Sequence, residues 1–100
     1  GHMPPMPDLA RSSEFCRAIR AAVGRRADLL FGTHGQFSTG GAIRIGAAIE
    51  PHQPLWFEEP APDAFDSLAA VAAAVRIPVA TGERLTTVAE FAAALRAGAA

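Results

Sequence analysis

A repeated order of apolar runs and amphipathic helices is the feature that most constrains the fold of this 100-residue chain. Three apolar runs, DLLFG (28–32), PLWFEE (54–59) and IPVATGE (77–83), are each followed by a segment with helical periodicity, and a further helix precedes the first run. Continuous apolar strands that alternate with helices indicate a parallel sheet, because parallel strands need crossover connections that cover the sheet. The sequence therefore predicts an α/β fold of about three parallel strand-helix units plus a leading helix.

The ends of the first two helices are predicted from capping residues and prolines. The leading helix is expected to begin at Ser12 or Ser13 and to end at Gly24. The second is expected to span about 42–49 and to stop before Pro51. The apolar face of the leading helix is predicted from residues spaced four apart, namely Phe15, Ile19 and Val23.

The last helix has the clearest start signal in the chain. Thr87 and Glu90 have the spacing of a capping box, in which each side chain bonds to the backbone amide of the other residue. Gly98 is placed to end the helix. Its inner, buried face is predicted to consist of Val88, Phe91 and Leu95.

Two glutamates follow strands on the side of a parallel sheet where ligand sites form. An alignment of the repeats puts Gly32, Glu58 and Glu83 in equivalent positions, 26 and 25 residues apart. The carboxyl ends of parallel strands open on one face, so Glu58 and Glu83 are expected to meet at a common site. Two adjacent carboxylates repel each other unless a positive group lies between them, which indicates either an arginine clamp or a hard divalent cation, of which magnesium fits best.

A plainer interpretation of these glutamates stands beside the metal site. Acidic residues after strands also cap the following helix or face the solvent. Arg84 is a candidate for a purely structural salt bridge in this region. On spacing alone both interpretations stay open.

Composition narrows the possible partners. The formal net charge is −1 and half the residues are apolar, which argues against a nucleic-acid partner, and no apolar run approaches the ~20 residues of a membrane span. Cys16 is the one cysteine, so no internal disulfide is expected and Cys16 is predicted to be a small core residue. We therefore expect a cytoplasmic protein. Residues 1–3 (Gly-His-Met) are typical of a cloning scar, which leaves 4–100 as the predicted domain.

Three short motifs carry a family resemblance. THG (33–35), FEEP (57–60) and ATGER (80–84) together resemble the carboxyl-terminal barrel of the mandelate racemase/muconate lactonizing branch of the enolase superfamily. Within that branch the sequence is similar to acid-sugar dehydratases of the galactonate and mannonate type. The resemblance implies a partial (β/α) TIM-type barrel and a lyase (dehydratase) or racemase chemistry.

The resemblance also implies roles for particular residues. In that family a magnesium ion stabilises the enediolate that forms when a base removes the proton beside a substrate carboxylate. Carried over, Glu58 and Glu83 are magnesium ligands, and Glu59 and Arg84 are supporting residues that orient them. His34 corresponds to the histidine that protonates the departing hydroxide, and an acid sugar is the implied substrate.

The sequence departs from the family pattern in two ways. Gly32 stands where the family has an aspartate ligand, so magnesium binding is expected to be weak or vestigial. The strands that bear the catalytic base and the capping domain have no counterpart in these 100 residues. The remaining histidine of the native sequence, His52, is expected at the opposite face of the sheet, as a surface residue.

Several functions remain open at this point. An open sheet would leave apolar residues partly uncovered, namely Leu30, Trp56, Phe57 and Val79, so we expect a homo-oligomer. The chain is then a catalytically silent segment of a dehydratase-like enzyme, a self-associating structural or binding module, or a working lyase assembled from several chains. A nucleotide-binding, flavodoxin-like domain is disfavoured because GTHGQFSTGG (32–41) matches no phosphate-binding motif.

Overall fold

The computed structural model describes residues 2–62 and 64–100, and within them a three-stranded parallel sheet lies against four α-helices. The strand order in the sheet is β1-β2-β3, so each strand pairs with its successor in the chain. This confirms the predicted α/β class and the alternation of strands with helices. The elements are α1 (Met6–Val23), β1 (Leu30–Gly32), α2 (Thr39–Ile49), a short 3-10 helix (Glu50–His52), β2 (Trp56–Glu58), α3 (Phe65–Ala74), β3 (Val79–Ala80) and α4 (Val88–Ala97).

The helices lie in a row in which α1 contacts α2, α2 contacts α3, and α3 contacts α4. Phe57 of the central strand is completely buried, and its ring packs edge-on against Phe31. The prediction that Phe57 would be partly uncovered is therefore wrong, because it points from the sheet toward α2. Leu30, on the opposite face of the sheet, is 47% exposed as expected, and Trp56 and Val79 are half-buried.

Helix α1 begins at Met6, six residues before the earlier of the two predicted caps. The prediction of a start at Ser12 or Ser13 is wrong, because Pro7 is accommodated in the first turn, where its missing N–H would have no helical partner. Helix α2 likewise starts three residues early, at Thr39, with the Ser38 hydroxyl accepting a bond from the Gly41 amide. The carboxyl ends of both helices agree with the prediction. Helix α1 ends just before Gly24, and α2 ends shortly before Pro51.

The face of α1 that is buried also differs from the prediction. Leu9 and Cys16 are buried, whereas Phe15 is 61% and Ile19 44% exposed. Cys16 is thus a small core residue, as predicted, with a free thiol. Phe15 and Ile19 lie on a stripe beside the buried residues Leu9 and Cys16. This stripe stays exposed because α1 is the first helix of the row and its neighbouring helix, α2, covers one side.

Helix α4 begins and ends where predicted, but the side chains predicted to be buried are exposed. The capping box of Thr87 and Glu90 is present in both directions, and Gly98 adopts the left-handed conformation that ends the helix. The predicted inner face is wrong: Val88 is 87% and Leu95 76% exposed, and Phe91 47%, while Ala94 is buried. Periodicity identified the apolar face of α4 correctly, but it could not show whether another element covers that face. This face stays exposed because α4 is the last helix of the row. None of the helices in the described part of the chain has the length and apolar character needed to cross a membrane.

Candidate functional site

A small cavity opens at the carboxyl ends of the three strands. Its volume is about 130 Å³. Its lining residues lie at the last positions of β1 and β2 and in the loops that follow the three strands, namely Gly32, His34, Glu58, Glu59 and Glu83. The cavity therefore brings together the residues that the sequence singled out on separate repeats. Gly32 and Glu58 are direct partners in the parallel ladder.

Glu83 reaches this cavity from a different backbone position than predicted. The ladder pairs Glu58 with Ala80, so the strand-end position of β3 belongs to Ala80 and Glu83 lies three residues further, in a turn. The predicted equivalence of Glu83 with Glu58 is therefore wrong in register. The loop after β3 returns the Glu83 carboxylate to the site.

His34 contacts the Glu83 carboxylate across the cavity. The distance from His34 Nδ1 to Glu83 Oε1 is 3.2 Å, and the His34 side chain is 85% exposed. The backbone of His34 is left-handed, at φ 54°, a conformation that non-glycine residues adopt infrequently. Because the His34 side chain is mostly exposed and that of Glu83 is 41% exposed, this contact contributes little to stability.

Glu59 lies beneath the cavity and is 2% exposed. Its carboxylate accepts hydrogen bonds from Thr81 Oγ1 at 2.9 Å, the Gly82 amide at 2.8 Å and Arg84 Nη2 at 3.1 Å. Burial opposes ionisation of this carboxyl group, but the bonds from Gly82, Thr81 and Arg84 together outweigh it and lower the pKa of Glu59. Glu59 is therefore a buried, charged group with its acceptor positions occupied.

The backbone of Glu59 joins the same residue to the first loop. Its carbonyl oxygen accepts bonds from Thr33 Oγ1 at 2.9 Å and from the Gly35 amide at 2.6 Å, and its amide donates to the Ala80 carbonyl at 2.9 Å. These bonds hold Glu59 at φ 47°, in the left-handed region. One residue thus fastens all three loops that carry the cavity lining.

The sequence suggested a structural salt bridge for Arg84 but did not predict which residues are the partners of Glu59. Thr33, Thr81 and Gly82 all lie inside the motifs THG and ATGER, so the motifs themselves were the available signal. These motifs do not reveal that the backbone of Glu59 is left-handed, nor that its carboxylate bonds to the loop after β3.

His52 lies at the other end of the sheet, in the short helix before β2. Its Nε2 is 2.9 Å from Ser13 Oγ, and its carbonyl oxygen accepts a bond from Arg20. His52 lies away from the cavity, as expected, and its contacts with α1 leave it half-buried.

The donors at the cavity suit a hard divalent cation in type but fall short in number. Glu58 and Glu83 supply carboxylate oxygens, the ligands that magnesium prefers. Within residues 2–62 and 64–100, no three His, Cys, Asp or Glu side chains are placed to hold a metal ion together. The described residues therefore do not fit a three-carboxylate site, and what the lining offers magnesium is the carboxylate chemistry of Glu58 and Glu83.

The comparisons with known proteins agree with this architecture. Residues 2–100 match the family model described as enolase C-terminal domain-like. The chain belongs to this family. It is 38% identical over 85 residues to D-gluconate/D-galactonate dehydratase from Picrophilus torridus, an alignment that covers 84% of this chain and 22% of that protein.

Two solved structures show the extent of the likeness. A mandelate racemase/muconate lactonizing enzyme from Sulfitobacter sp. is 69% identical with a TM-score of 0.97, over 100% of this chain and 26% of that one. An enolase from Bradyrhizobium, solved with magnesium and mandelic acid, is 29% identical with a TM-score of 0.88, over 91% of this chain and 26% of that one. This chain thus spans about a quarter of the length of these relatives. It corresponds to part of their TIM-type barrel, as the resemblance implied.

Proposed function

We propose that this chain is a segment of a magnesium-dependent acid-sugar dehydratase-like enzyme and is inactive by itself. The observation that carries the proposal is the cavity in which Glu58, Glu83 and His34 meet at the carboxyl ends of parallel strands. The similarity to D-gluconate/D-galactonate dehydratase supports the choice of a sugar acid as the substrate class.

The reaction would remove the proton beside a carboxylate and then eliminate water. Glu58 and Glu83 would hold the magnesium ion, which when bound supplies positive charge to oxygens that become negative in the enediolate. Glu59, with Arg84 against its carboxylate, would keep the loops of Glu58 and Glu83 in place. With Nδ1 of His34 turned to Glu83, Nε2 is the nitrogen available to give a proton to the departing hydroxide.

The proposed inactivity follows from the groups present at the cavity. His34 is the one histidine in the lining, and the whole sequence contains no lysine, since all nine basic residues are arginine. His34 is assigned to the departing hydroxide, and the lining contains no second histidine and no lysine to act as a separate base for the first proton. Gly32 further removes one carboxylate from the expected ligand set.

Two measurements test this proposal. Incubation of the purified chain with magnesium and a panel of sugar acids is expected to give no more 2-keto product than the Glu58→Gln variant. Turnover that Glu58→Gln abolishes would overturn the proposed inactivity. Binding of Mn²⁺, followed by electron paramagnetic resonance, is expected to weaken in Glu83→Gln and to be unchanged in Glu50→Gln, whose carboxylate lies outside the cavity.

A second candidate function is a self-associating structural or binding module. The observation that favours it is the number of large apolar side chains that stay exposed on α1 and α4, at the two ends of the helix row. Their most exposed members are Val88, Leu95 and Met6. Analytical ultracentrifugation at micromolar concentration is expected to give a mass above the 10.4 kDa of one chain. A monomer would contradict this candidate and leave the enzyme-segment proposal standing.

A further inference from the structure

We propose that two copies of this chain form a closed ring of helices about a two-fold axis along the strands, in which α4 of each copy packs against α1 of the other. This association rests on the second candidate function and deepens it by naming the partner, the number of copies and the surfaces that meet. The surfaces are the α1 stripe, made of Phe15, Ala18, Ile19 and Ala22, and the α4 stripe, made of Val88, Phe91 and Leu95.

The number and order of the helices determine the number of copies. Within residues 2–62 and 64–100 the chain has four α-helices in one row, with α1 and α4 at its ends. The TIM-type barrel that this fold matches in part has a ring of eight helices outside its strands. Two copies supply eight helices, and a two-fold axis places both α4 helices beside α1 helices, so both open ends of each row are covered in one closed dimer.

The two stripes have the character of surfaces that another element covers. Val88 is 87% and Leu95 76% exposed on the α4 stripe, and Phe15 is 61% exposed on the α1 stripe. A groove of about 270 Å³ runs beside Phe15 and is lined by Arg11, Glu14, Phe15 and Ala18. Contiguous apolar surface at both ends of one helix row is typical of an association site.

Charges next to the α1 stripe do not oppose burial against an apolar helix. Arg11 lies near Asp8, and Arg17 pairs with Glu14, so these charges have partners of opposite sign on their own helix. On α4 the Glu90 carboxylate is bonded to its own capping residues. The stripes can therefore meet without leaving an unpaired buried charge.

The ratio of helices to strands decides that helices meet, and not sheet edges. In the described part of the chain α1 precedes β1 and α4 follows β3, which gives one helix more than strands. If β3 of one copy paired with β1 of the other, α4 and α1 would both have to cover that one junction. Since one crossover helix covers each pair of neighbouring parallel strands, the two end helices keep these edges apart and contact each other.

The face of the sheet turned away from the helices supports the same closure. Leu30 and Trp56 are partners in the ladder and share this face, and Leu30 is 47% exposed. Among the described residues, Trp56 Nε1 is buried and has no hydrogen-bond partner. Both features are typical of a surface that is completed by another element, and a closed ring turns this face inward toward the second copy.

Disulfide trapping tests which helices meet. Ile19 and Leu95 both lie near the carboxyl ends of their helices, so parallel packing of α1 against α4 brings them to the same level. Oxidation of the Ile19→Cys/Leu95→Cys chain by copper phenanthroline in air is expected to give a covalent dimer on a non-reducing gel. Neither single variant alone is expected to give it, whereas their equimolar mixture is. The unmodified chain, whose Cys16 is buried, is the control.

Analytical ultracentrifugation tests the number of copies. The unmodified chain at micromolar concentration is expected to have twice the 10.4 kDa mass of one chain. Leu95→Glu places a charge in the interface and is expected to raise the dissociation constant about tenfold or more. Leu55→Glu makes the same change at an exposed leucine in the loop before β2, outside both stripes, and is expected to leave the dimer intact. Matching circular dichroism spectra establish that both variants are folded.

The outcomes separate this ring from self-association in general. A dimer trapped in Ile19→Cys alone or in Leu95→Cys alone, a ladder of larger products from the double variant, or a mass above two copies would overturn the closed ring and leave self-association standing. An unchanged dissociation constant in Leu95→Glu would also overturn it. A monomeric mass of the unmodified chain would overturn both the ring and the second candidate function, and would leave the proposal of an enzyme segment.

Discussion

The substitution Glu59→Gln tests whether one buried carboxylate holds the three loops of the cavity together. The amide oxygen can still accept the bonds from Thr81 Oγ1 and the Gly82 amide, but the new NH₂ group then faces Arg84, donor against donor. Glu59→Ala removes the acceptor for all three donors. The two variants therefore separate the ion pair from the neutral hydrogen bonds.

The structure sets the size of each effect. A hydrogen bond to a charged group contributes about 1.5–3 kcal/mol, and the 38% exposure of the Arg84 side chain reduces this through solvent screening, so we expect Glu59→Gln to cost about 1–2 kcal/mol. Glu59→Ala also strands the Thr81 hydroxyl and the Gly82 amide, at about 1 kcal/mol or more each, which gives about 3–5 kcal/mol in total. The matched control is Glu50→Gln, whose partner Arg76 is 87% exposed at 3.8 Å, and it is expected to change stability by less than about 0.5 kcal/mol.

Equilibrium unfolding in urea measures these differences. Trp56 is the one tryptophan of the sequence and lies on the central strand, so its fluorescence reports loss of the sheet. All variants are compared at one protein concentration, because association would add a concentration-dependent term to the free energy of unfolding. Free energies for both Glu59 variants within about 0.5 kcal/mol of the unmodified chain would refute the role of Glu59 as the fastening residue.

Three further measurements test the pH dependence of Glu59, the packing around Gly46 and the cap of α4. The folded-state pKa of Glu59 lies below its ordinary value of 4.5, so the stabilisation by this carboxylate is present above pH 4.5 and is lost as the pH falls through the lowered pKa. Urea unfolding across this acid range should therefore show a steeper loss of stability in the unmodified chain than in Glu59→Gln. Parallel stability profiles of the two proteins would contradict this prediction. Gly46→Ala would place a Cβ 2.5 Å from Val75 Cγ1. Urea unfolding should therefore show that the free energy of unfolding falls by about 1–3 kcal/mol, although alanine has the better helix propensity. A gain in stability would disprove the close contact of α2 with Val75. Thr87→Ala removes the cap of α4 and should cost about 1 kcal/mol, with Thr87→Ser restoring most of it in the same assay, and no loss would mean that α4 does not depend on its cap.

Local signals in the sequence were enough to predict the order of the helices and strands and part of the candidate site. The three strand-helix units, the capping box of Thr87 and the core position of Cys16 depend on residues close in the chain, or on simple burial tendencies. Glu58 could be placed at a strand end because the apolar run before it is unbroken. The predictions that succeeded therefore needed no knowledge of distant contacts.

The predictions that failed depended on contacts between distant parts of the chain. Periodicity gives the apolar face of α4 but cannot say whether a neighbour covers Leu95, and at the end of a helix row none does. Equal spacing suggested that Glu83 ends β3, whereas the ladder register ends that strand at Ala80. The start of α1 was missed because Pro7 was not considered as a first-turn residue.

The most direct test of the metal site is the paramagnetic broadening of backbone amide resonances by Mn²⁺. Substoichiometric Mn²⁺ is expected to broaden the amides of His34, Glu58 and Glu83 first, because these residues line one cavity, while the amides of Ser13 and His52 at the opposite end of the sheet stay sharp. Broadening that begins at the Ser13 end, or that spreads evenly over the exposed acidic residues, would contradict a cation site built from the carboxyl ends of the three strands.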